Sequence, residues 1–189
     1  MQDISLHILD LIENSCQAES DLIKIEIIMD KNEDKLIIKI ADNGIGMDQE
    51  TLENSQNPFF TTKKSRKKKV GLGIPLFKQN AEHCNGKFII KSKKNKGTTV
   101  IAEFQLSHID RMPLGNLADT FINSIIAHPN IDFEIHLRYK SKETTEFYLS
   151  TKEIKEALGD DIPITHPLVY EYLKENFEEG IKKTYMEEL

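Results

Sequence analysis

In the first part of the chain, some segments space their apolar residues as helices do, and others space them as strands do. Residues 3–18 carry apolar side chains at about every third or fourth position, which predicts a helix. Residues 22–29 and 35–41 alternate isoleucines with polar residues, which predicts strands with one buried face. Four further elements are predicted, which are helices at 48–54 and 74–84 and strands at 87–91 and 98–106. Helices covering one face of a mixed sheet make this an α/β fold, a two-layer sandwich.

The last part of the chain also has the pattern of a folded region. A polar linker at 107–115 precedes a segment with helical spacing, which a His-Pro-Asn sequence at 128–130 ends. The predicted elements here are helices at 117–127, 151–158 and 168–177 and strands at 133–139 and 146–149. We therefore expect a domain at 1–106 and a small α+β accessory region of unknown role at 107–189.

A turn with two glycines follows the second predicted strand. Residues 42–47 read Asp-Asn-Gly-Ile-Gly-Met. Taken alone this is ordinary turn chemistry, because Asn and Gly tolerate positive φ at small cost. The turn lies 28 positions after Asn14, however, with a strand hairpin between the two. This order points to a nucleotide site.

Two oxygen-bearing side chains, Asp10 and Asn14, lie four positions apart on the first predicted helix. Residues at this spacing share one face of a helix, so a carboxylate and an amide oxygen are stacked there. Such oxygen ligands suit magnesium, which also keeps several water ligands. The alternative is a polar helix edge that faces solvent.

Residues 57–73 combine aromatic, hydroxyl, basic and glycine residues in one loop. Phe59 and Phe60 give this loop a hydrophobic anchor, and the hydroxyls and lysines after them can meet phosphate oxygens. Gly71 and Gly73 allow a tight turn just before the helix at 74–84, whose free N–H groups favour phosphate. A later turn at 95–97 leads to Thr98, whose hydroxyl could reach a ligand directly or through water.

These four motifs, in this order, make residues 1–106 similar to the GHKL ATPase superfamily, which includes gyrase B, heat-shock chaperone ATPases, mismatch-repair ATPases and sensor histidine kinases. The resemblance implies the Bergerat nucleotide fold with ATP and Mg²⁺ as ligands. Asn14 would bind Mg²⁺, Asp42 would accept a hydrogen bond from the adenine amino group, and Gly44 and Gly46 would let the backbone approach the base. The residues assigned in this way to the nucleotide are Asn14, Asp42, Gly44, Gly46, Met47, Phe59, Phe60, Thr61, Thr62, Lys63, Gly71, Leu72, Gly73 and Thr98.

The motifs resemble two branches of the superfamily. Residues 57–63 and 71–74 resemble histidine kinases, whereas Glu13-Asn14-Ser15 is more similar to a mismatch-repair ATPase. Lys69 stands where histidine kinases usually have a further glycine, which makes this lid segment more basic than the family pattern. No helix pair with a phosphoacceptor histidine precedes the motifs, so a self-sufficient sensor kinase is not expected.

Asp10 lies where the hydrolytic and serine-kinase branches resembled here place a glutamate general base. Its carboxylate could orient a water or a hydroxyl against the γ-phosphate, with a reach one methylene shorter than that of Glu. Glu13 is the competing residue, but it points about 100° away from Asn14 on the helix. His7 lies about two turns, roughly 10 Å, from Asn14, and we interpret it as structural.

Charge and composition narrow the class of partner. The net charge of −6 argues against nucleic-acid binding by electrostatics alone. Six of the seven residues at 63–69 are basic, which we interpret as a lid over a triphosphate, with a nucleic-acid contact or a solvated loop as alternatives. No apolar run approaches the length of a membrane span and Cys16 and Cys84 have no metal spacing, so we expect a cytoplasmic protein without a membrane partner.

Two main functions remain open from the sequence, and a third, a chiefly nucleic-acid-binding protein, rests only on the basic residues at 63–69. The first is an enzyme that uses the γ-phosphate of ATP, either by hydrolysis or by transfer to a protein partner. The second is a module in which ATP orders the basic lid and changes partner binding without efficient turnover. The superfamily resembled here contains both behaviours, so fold analogy does not separate them.

Overall fold

The computed structural model describes residues 3–55, 73–159 and 161–186. These residues form six helices and six strands, which are α1 (Ile4–Gln17), β1 (Leu22–Asp30), β2 (Lys35–Asp42), α2 (Gln49–Ser55), α3 (Gly73–His83), β3 (Lys87–Lys93), β4 (Gly97–Gln105), α4 (Leu117–Ala127), β5 (Asp132–Lys140), β6 (Thr144–Ser150), α5 (Thr151–Leu158) and α6 (Pro167–Lys183). Each element appears where the apolar spacing predicts one.

The strands form one mixed sheet in the order β3-β4-β2-β1-β5-β6. All neighbouring strands are antiparallel except β1 and β5, which run parallel. Helix α1 packs against α3 and α4, and α4 packs against α6, so these helices form a second layer. The predicted α/β two-layer sandwich is confirmed.

The two faces of β1 differ as its alternating sequence predicts. Ile23, Ile25 and Ile27 are buried in the core between the sheet and the helices. The intervening Lys24 pairs with Glu134 of β5 on the opposite face, with 2.7 Å between the Lys Nζ and the Glu Oε2. One face of the sheet is therefore the apolar core, and the other carries cross-strand ion pairs.

The region after residue 106 shares this sheet. β5 lies beside the whole length of β1, and β6 forms the outer edge. Phe121, Phe133 and Phe177 from this region belong to the same core cluster as Ile4 and Ile12 of α1. The division into 1–106 and 107–189 stays a prediction, but the two parts bury apolar surface against each other.

Helix α6 is longer than its predicted span of 168–177, because it continues through Gly180 to Lys183. The prediction ends the helix at residue 177 and treats the acidic residues after it as a tail. The structure shows a packing reason for the glycine, since a Cβ built at Gly180 would lie 2.4 Å from the ring of Phe147. The absent side chain lets the helix approach β6 closely, and this packing offsets the low helix propensity.

Within the described parts of the chain, none of the helices has the length and apolar character needed to cross a bilayer.

The shared core predicts that the two parts unfold in one transition. All five tyrosines follow residue 138, so tyrosine fluorescence reports the accessory region, whereas far-UV circular dichroism reports the whole chain. We expect the two signals to give the same urea midpoint. Phe121→Ala, at a fully buried position, should lower both midpoints together and cost about 3–5 kcal/mol. Separate midpoints, or a shift in the tyrosine signal alone, would support two independent domains.

Candidate functional site

Three loops meet beside the ends of α1, β2 and β3. The backbone N–H of Ile45 donates to the carbonyl of Ala18 over 2.8 Å, and the N–H of Asn95 donates to the carbonyl of Ile45 over 2.6 Å. The turn after β2 is therefore held between the end of α1 and the β3–β4 turn. Two of the motifs found in the sequence, at 42–47 and 95–100, are adjacent in space.

The carboxylate of Asp42 is the centre of this arrangement, because it accepts three hydrogen bonds. Its Oδ1 accepts from the backbone N–H groups of Gly44, at 3.0 Å, and Thr98, at 3.2 Å. Its Oδ2 accepts from the hydroxyl of Ser15 of α1, at 3.0 Å. An ionised carboxylate offers about four acceptor positions, so it is fixed in orientation and can still accept a donor from a ligand.

Two glycines of the predicted site are required by the packing of the protein itself. A Cβ at Gly44 would lie 2.4 Å from the carbonyl oxygen of Ala18. Gly46 has a φ of +61°, and a Cβ there would lie 2.2 Å from the carbonyl oxygen of Lys93. Both glycines thus allow a close approach between backbone segments of this chain, and their approach to the base stays a prediction.

A hydroxyl pair connects the β3–β4 turn to the loop after β2. The Ser92 hydroxyl accepts from the N–H of Met47 at 2.8 Å and donates to the carbonyl of Gly97 at 3.0 Å. It lies 2.9 Å from the hydroxyl oxygen of Thr98. Since Ser92 has a single proton, Thr98 is the donor in this pair, and the Thr98 oxygen keeps its own lone pairs as acceptors.

Asp10 and Asn14 lie on one face of α1, both half-buried. The side chain of Asn14 makes no hydrogen bond to another residue in the described ranges. Gly73, the first residue of α3, lies so close that its Cβ would be 2.2 Å from Oδ2 of Asp10. The Asp10 carboxylate therefore lies at the N-terminus of α3, where free N–H groups and the helix dipole favour negative charge.

Glu13, the competitor of Asp10, has a different partner. Its carboxylate lies 3.0 Å from Nε2 of His128, at the end of α4. This contact directs Glu13 toward the accessory region, and Glu13 lies about 100° around the helix from Asn14.

Asp10 and Asn14 together offer a metal ion one carboxylate and one amide oxygen. No group of three or more His, Cys, Asp or Glu residues that could hold a metal occurs among residues 3–55, 73–159 and 161–186. One carboxylate and one amide oxygen fit an ion such as Mg²⁺, which takes its other ligands from water and phosphate. The chemistry of the donor set is thus compatible with magnesium bound together with a nucleotide.

His7 occupies the core and is not available as a phosphoacceptor. It is 1% exposed, its ring stacks on Phe77 with 4.8 Å between the centroids, and its Nε2 lies 3.1 Å from the amide nitrogen of Asn80. Burial lowers the pKa of His7 to about 4, because the charged imidazolium would lose its hydration.

The residues predicted from the loop at 57–72 lie outside the described residues. These are Phe59, Phe60, Thr61, Thr62, Lys63, Gly71 and Leu72, together with the basic run at 63–69. Their roles stay predictions.

Sequence reasoning did not select Ser15, Ser92 or Gly97 for the site. Ser15 follows Asn14 directly, and its burial at the edge of the apolar stripe was the available signal. Gly97 has a φ of +88°, and its place before Thr98 in a strand-to-strand turn could have indicated it. Ser92 belongs to no motif, because its partners are set by the register of β3 and β4.

Comparison with known proteins gives matches for this part of the chain. Residues 2–108 match the family described as histidine kinase-, DNA gyrase B-, and HSP90-like ATPase. The sensor protein DegM of Bacillus sp. (strain B21-2) is 32% identical over 94 residues, which are 50% of this chain and 24% of that protein. The DNA mismatch repair protein MutL of Petrotoga mobilis is 46% identical over 54 residues, 29% of this chain and 8% of that protein. The matched segments thus span a quarter or less of these relatives.

Among solved structures, the N-terminal domain of a DNA repair protein matches with a TM-score of 0.53. The match covers 79% of this chain and 53% of that one at 16% sequence identity, so it shows a shared fold. The relatives come from both branches that the motifs resemble.

The contact of Gly97 with Asp42 predicts the effect of adding one methyl group. In Gly97→Ala the Cβ would lie 1.9 Å from the carbonyl oxygen of Asp42, in addition to the strain of a positive φ. We expect a loss of about 3 kcal/mol or more in urea unfolding. Gly159→Ala is the control for positive φ, because its φ is +66° with no atom within 4 Å of the Cβ, and its backbone strain alone should cost about 1–3 kcal/mol. Equal losses would show that the contact contributes nothing.

The buried imidazole of His7 predicts a pH dependence of stability. The pKa of His7 is about 4 in the folded protein, whereas the ordinary value for histidine is 6.5. Between pH 4 and pH 6.5 the unfolded state therefore binds more protons than the folded state. The stability that neutral His7 contributes is fully present above about pH 6.5. As the pH falls to 4, the free energy of unfolding loses about 3 kcal/mol of this contribution. The free energy of unfolding of His7→Leu should fall less steeply over this range. Parallel curves for the two proteins would contradict the assignment.

Proposed function

The chain belongs to the histidine kinase-, DNA gyrase B- and HSP90-like ATPase family, and from this membership we propose that it binds Mg²⁺-ATP and then hydrolyses it or transfers its γ-phosphate to a protein partner. The observation that carries the proposal is the carboxylate of Asp42, fixed by three donors and able to accept one more. A single fixed acceptor of this kind is suited to an exocyclic amino group.

At the adenine end, Asp42 accepts the amino group and the Thr98 hydroxyl accepts a further donor, directly or through water. Ser15 acts by holding Oδ2 of Asp42 in place, and Ser92 acts in the same way on Thr98. Because these hydrogen bonds exist before the ligand arrives, binding requires little reordering of side chains.

At the phosphate end, Asn14 binds the metal ion, and the N–H groups at the start of α3 contact the phosphates. When bound, Mg²⁺ neutralises charge on the phosphate oxygens. The loop residues Phe59 and Phe60 anchor the lid, residues 61–63 contact the triphosphate, and Gly71, Leu72 and Gly73 complete the phosphate cradle. These roles follow from family membership and from the place of Gly73 beside Asp10.

Asp10 is the proposed general base. Its carboxylate lies one turn from Asn14 and beside the N-terminus of α3, which supports a place near the terminal phosphate. From there it would orient a water, or the hydroxyl of a protein substrate, and take its proton as the attack proceeds. Glu13 is less suited, because it pairs with His128.

An ATP-gated interaction module is the second candidate. The contact between Gly73 and Asp10 favours it, because Gly73 lies only four positions after Lys69, the last residue of the basic run. Nucleotide that orders the residues before α3 would then also act on α1. In this case ATP changes the affinity for a partner and is released intact or very slowly hydrolysed.

Asp10→Ala should separate binding from chemistry. We expect ATP affinity within a few-fold of wild type and a turnover lower by a factor of roughly 10²–10⁴, because only the proton acceptor is removed. The measurement follows γ-labelled ATP with Mg²⁺ and separates free phosphate from label on protein. Glu13→Ala is the matched control on the same helix and should keep turnover. Unchanged turnover in Asp10→Ala would remove Asp10 from the mechanism.

The products decide between the candidate functions. Free phosphate indicates an ATPase, label on protein indicates a kinase, and bound intact ATP indicates the gated module. Asp42→Asn tests binding independently, since the amide replaces one acceptor oxygen by a donor. ATP binding by this variant at wild-type affinity, measured by equilibrium dialysis, would contradict the proposed adenine site.

A further inference from the structure

A groove in the accessory region has no role in the proposed ATP site. It lies between the end of β6 and the helices α5 and α6, with a volume of about 480 Å³. Its apolar lining includes Tyr148, Ile154, Leu158, Ile162, Leu168 and Tyr172. A concave site of this size and composition is of the kind that receives a ligand or a side chain of a partner.

The groove holds large apolar side chains that the fold leaves exposed. Tyr148, Leu168 and Tyr172 are 50%, 68% and 51% exposed, and Ile162 is 42% exposed. On α6, Val169 and Leu173 already supply the face that packs into the core. The helix therefore carries a second apolar face, at Leu168 and Tyr172, that the core does not explain. Clustered exposed tyrosine and leucine are typical of protein contact surfaces.

The charge around the groove is negative. Glu153 lines it, and Glu175 and Glu179 follow Tyr172 by three and seven positions, which places them on the same side of α6. Across the described ranges these three carboxylates form no ion pair, and no lysine or arginine lines the groove. The neighbouring Lys155 and Lys174 are paired with Asp132 and Glu178.

We propose that this groove binds a basic amphipathic segment of a partner protein, with a large apolar side chain seated between Tyr148 and Tyr172. The apolar lining provides the buried contact, and the unpaired glutamates select lysine or arginine on the flanks of the segment. A second copy of this chain fits less well, because a two-fold symmetric contact would place the glutamates of one copy against those of the other. The inference does not depend on ATP binding.

A synthetic peptide tests the proposal directly. The probe is an amphipathic helix of about 16 residues with leucines on one face, lysines on the other and one tryptophan among the leucines. The chain contains no tryptophan, so the emission of the probe reports binding without background. We expect the lysine peptide to bind at least about tenfold more tightly than the same peptide with glutamates, and the difference to shrink as salt is added. Equal binding of the two peptides would overturn the proposal.

Matched variants locate the contact. Tyr172→Ser should weaken the lysine peptide about tenfold, whereas Tyr170→Ser, an exposed tyrosine of the same helix outside the groove, should not. Glu153→Gln should weaken it about threefold, whereas Glu156→Gln, three positions further along α5 and outside the groove lining, should not. Equal effects of a variant and its control would overturn the assignment to this groove.

Two further readouts keep the outcomes distinct. All four variants should bind ATP with the affinity of the wild type. A failure of the peptide test would therefore leave the ATP proposal intact, and a failure to bind ATP would leave the groove proposal intact. Sedimentation of the wild type and of Tyr172→Ser gives their oligomeric states, and so tests whether a second copy of this chain occupies the groove. A dimer that Tyr172→Ser dissociates would assign the groove to a second copy and overturn the proposed partner.

Discussion

The geometry of the candidate site depends on the hydrogen bonds to Asp42. This carboxylate ends β2, and its three donors come from three different places in the chain: α1 through Ser15, β4 through Thr98 and its own turn through Gly44. A half-buried charge is tolerated only when its hydration is replaced by such donors. The hydrogen bonds that replace the lost hydration of the carboxylate therefore also fix the loops that surround it.

The positions of these donors are a consequence of the fold. Antiparallel pairing of β2 with β4 places Thr99 opposite Ala41, and so brings the N–H of Thr98 to the end of β2. The packing of α1 on the sheet brings Ser15 to the same point. Gly97 allows the two backbones to approach, since a Cβ at this position would overlap the carbonyl oxygen of Asp42. Sheet register, helix packing and one glycine thus produce a single oriented acceptor.

The sequence was sufficient for the elements and for the motifs at 42–47 and 95–100, which the structure brings together, and its failures have physical causes. Strands and helices were predictable because the period of the apolar residues records which face is buried, as in β1. Ser92 was not predictable, because its bond to Met47 joins residues 45 positions apart and depends on the register of the sheet. The parallel pairing of β5 with β1 is likewise a long-range contact that no local pattern encodes. The extension of α6 through Gly180 depends on the ring of Phe147.

Helix α1 is the element that joins the site to the accessory region. It carries Asp10, Asn14 and Ser15 of the site, and it also packs against α4, where Glu13 meets His128. Close-packed helices shift together, because a void between them forfeits dispersion contacts along the whole interface. A displacement of α1 at Asn14 or Asp10 therefore has to be accommodated at α4. Since α4 packs in turn against α6, the helix that lines the acidic groove, the site and the groove are supported by one continuous layer of helices.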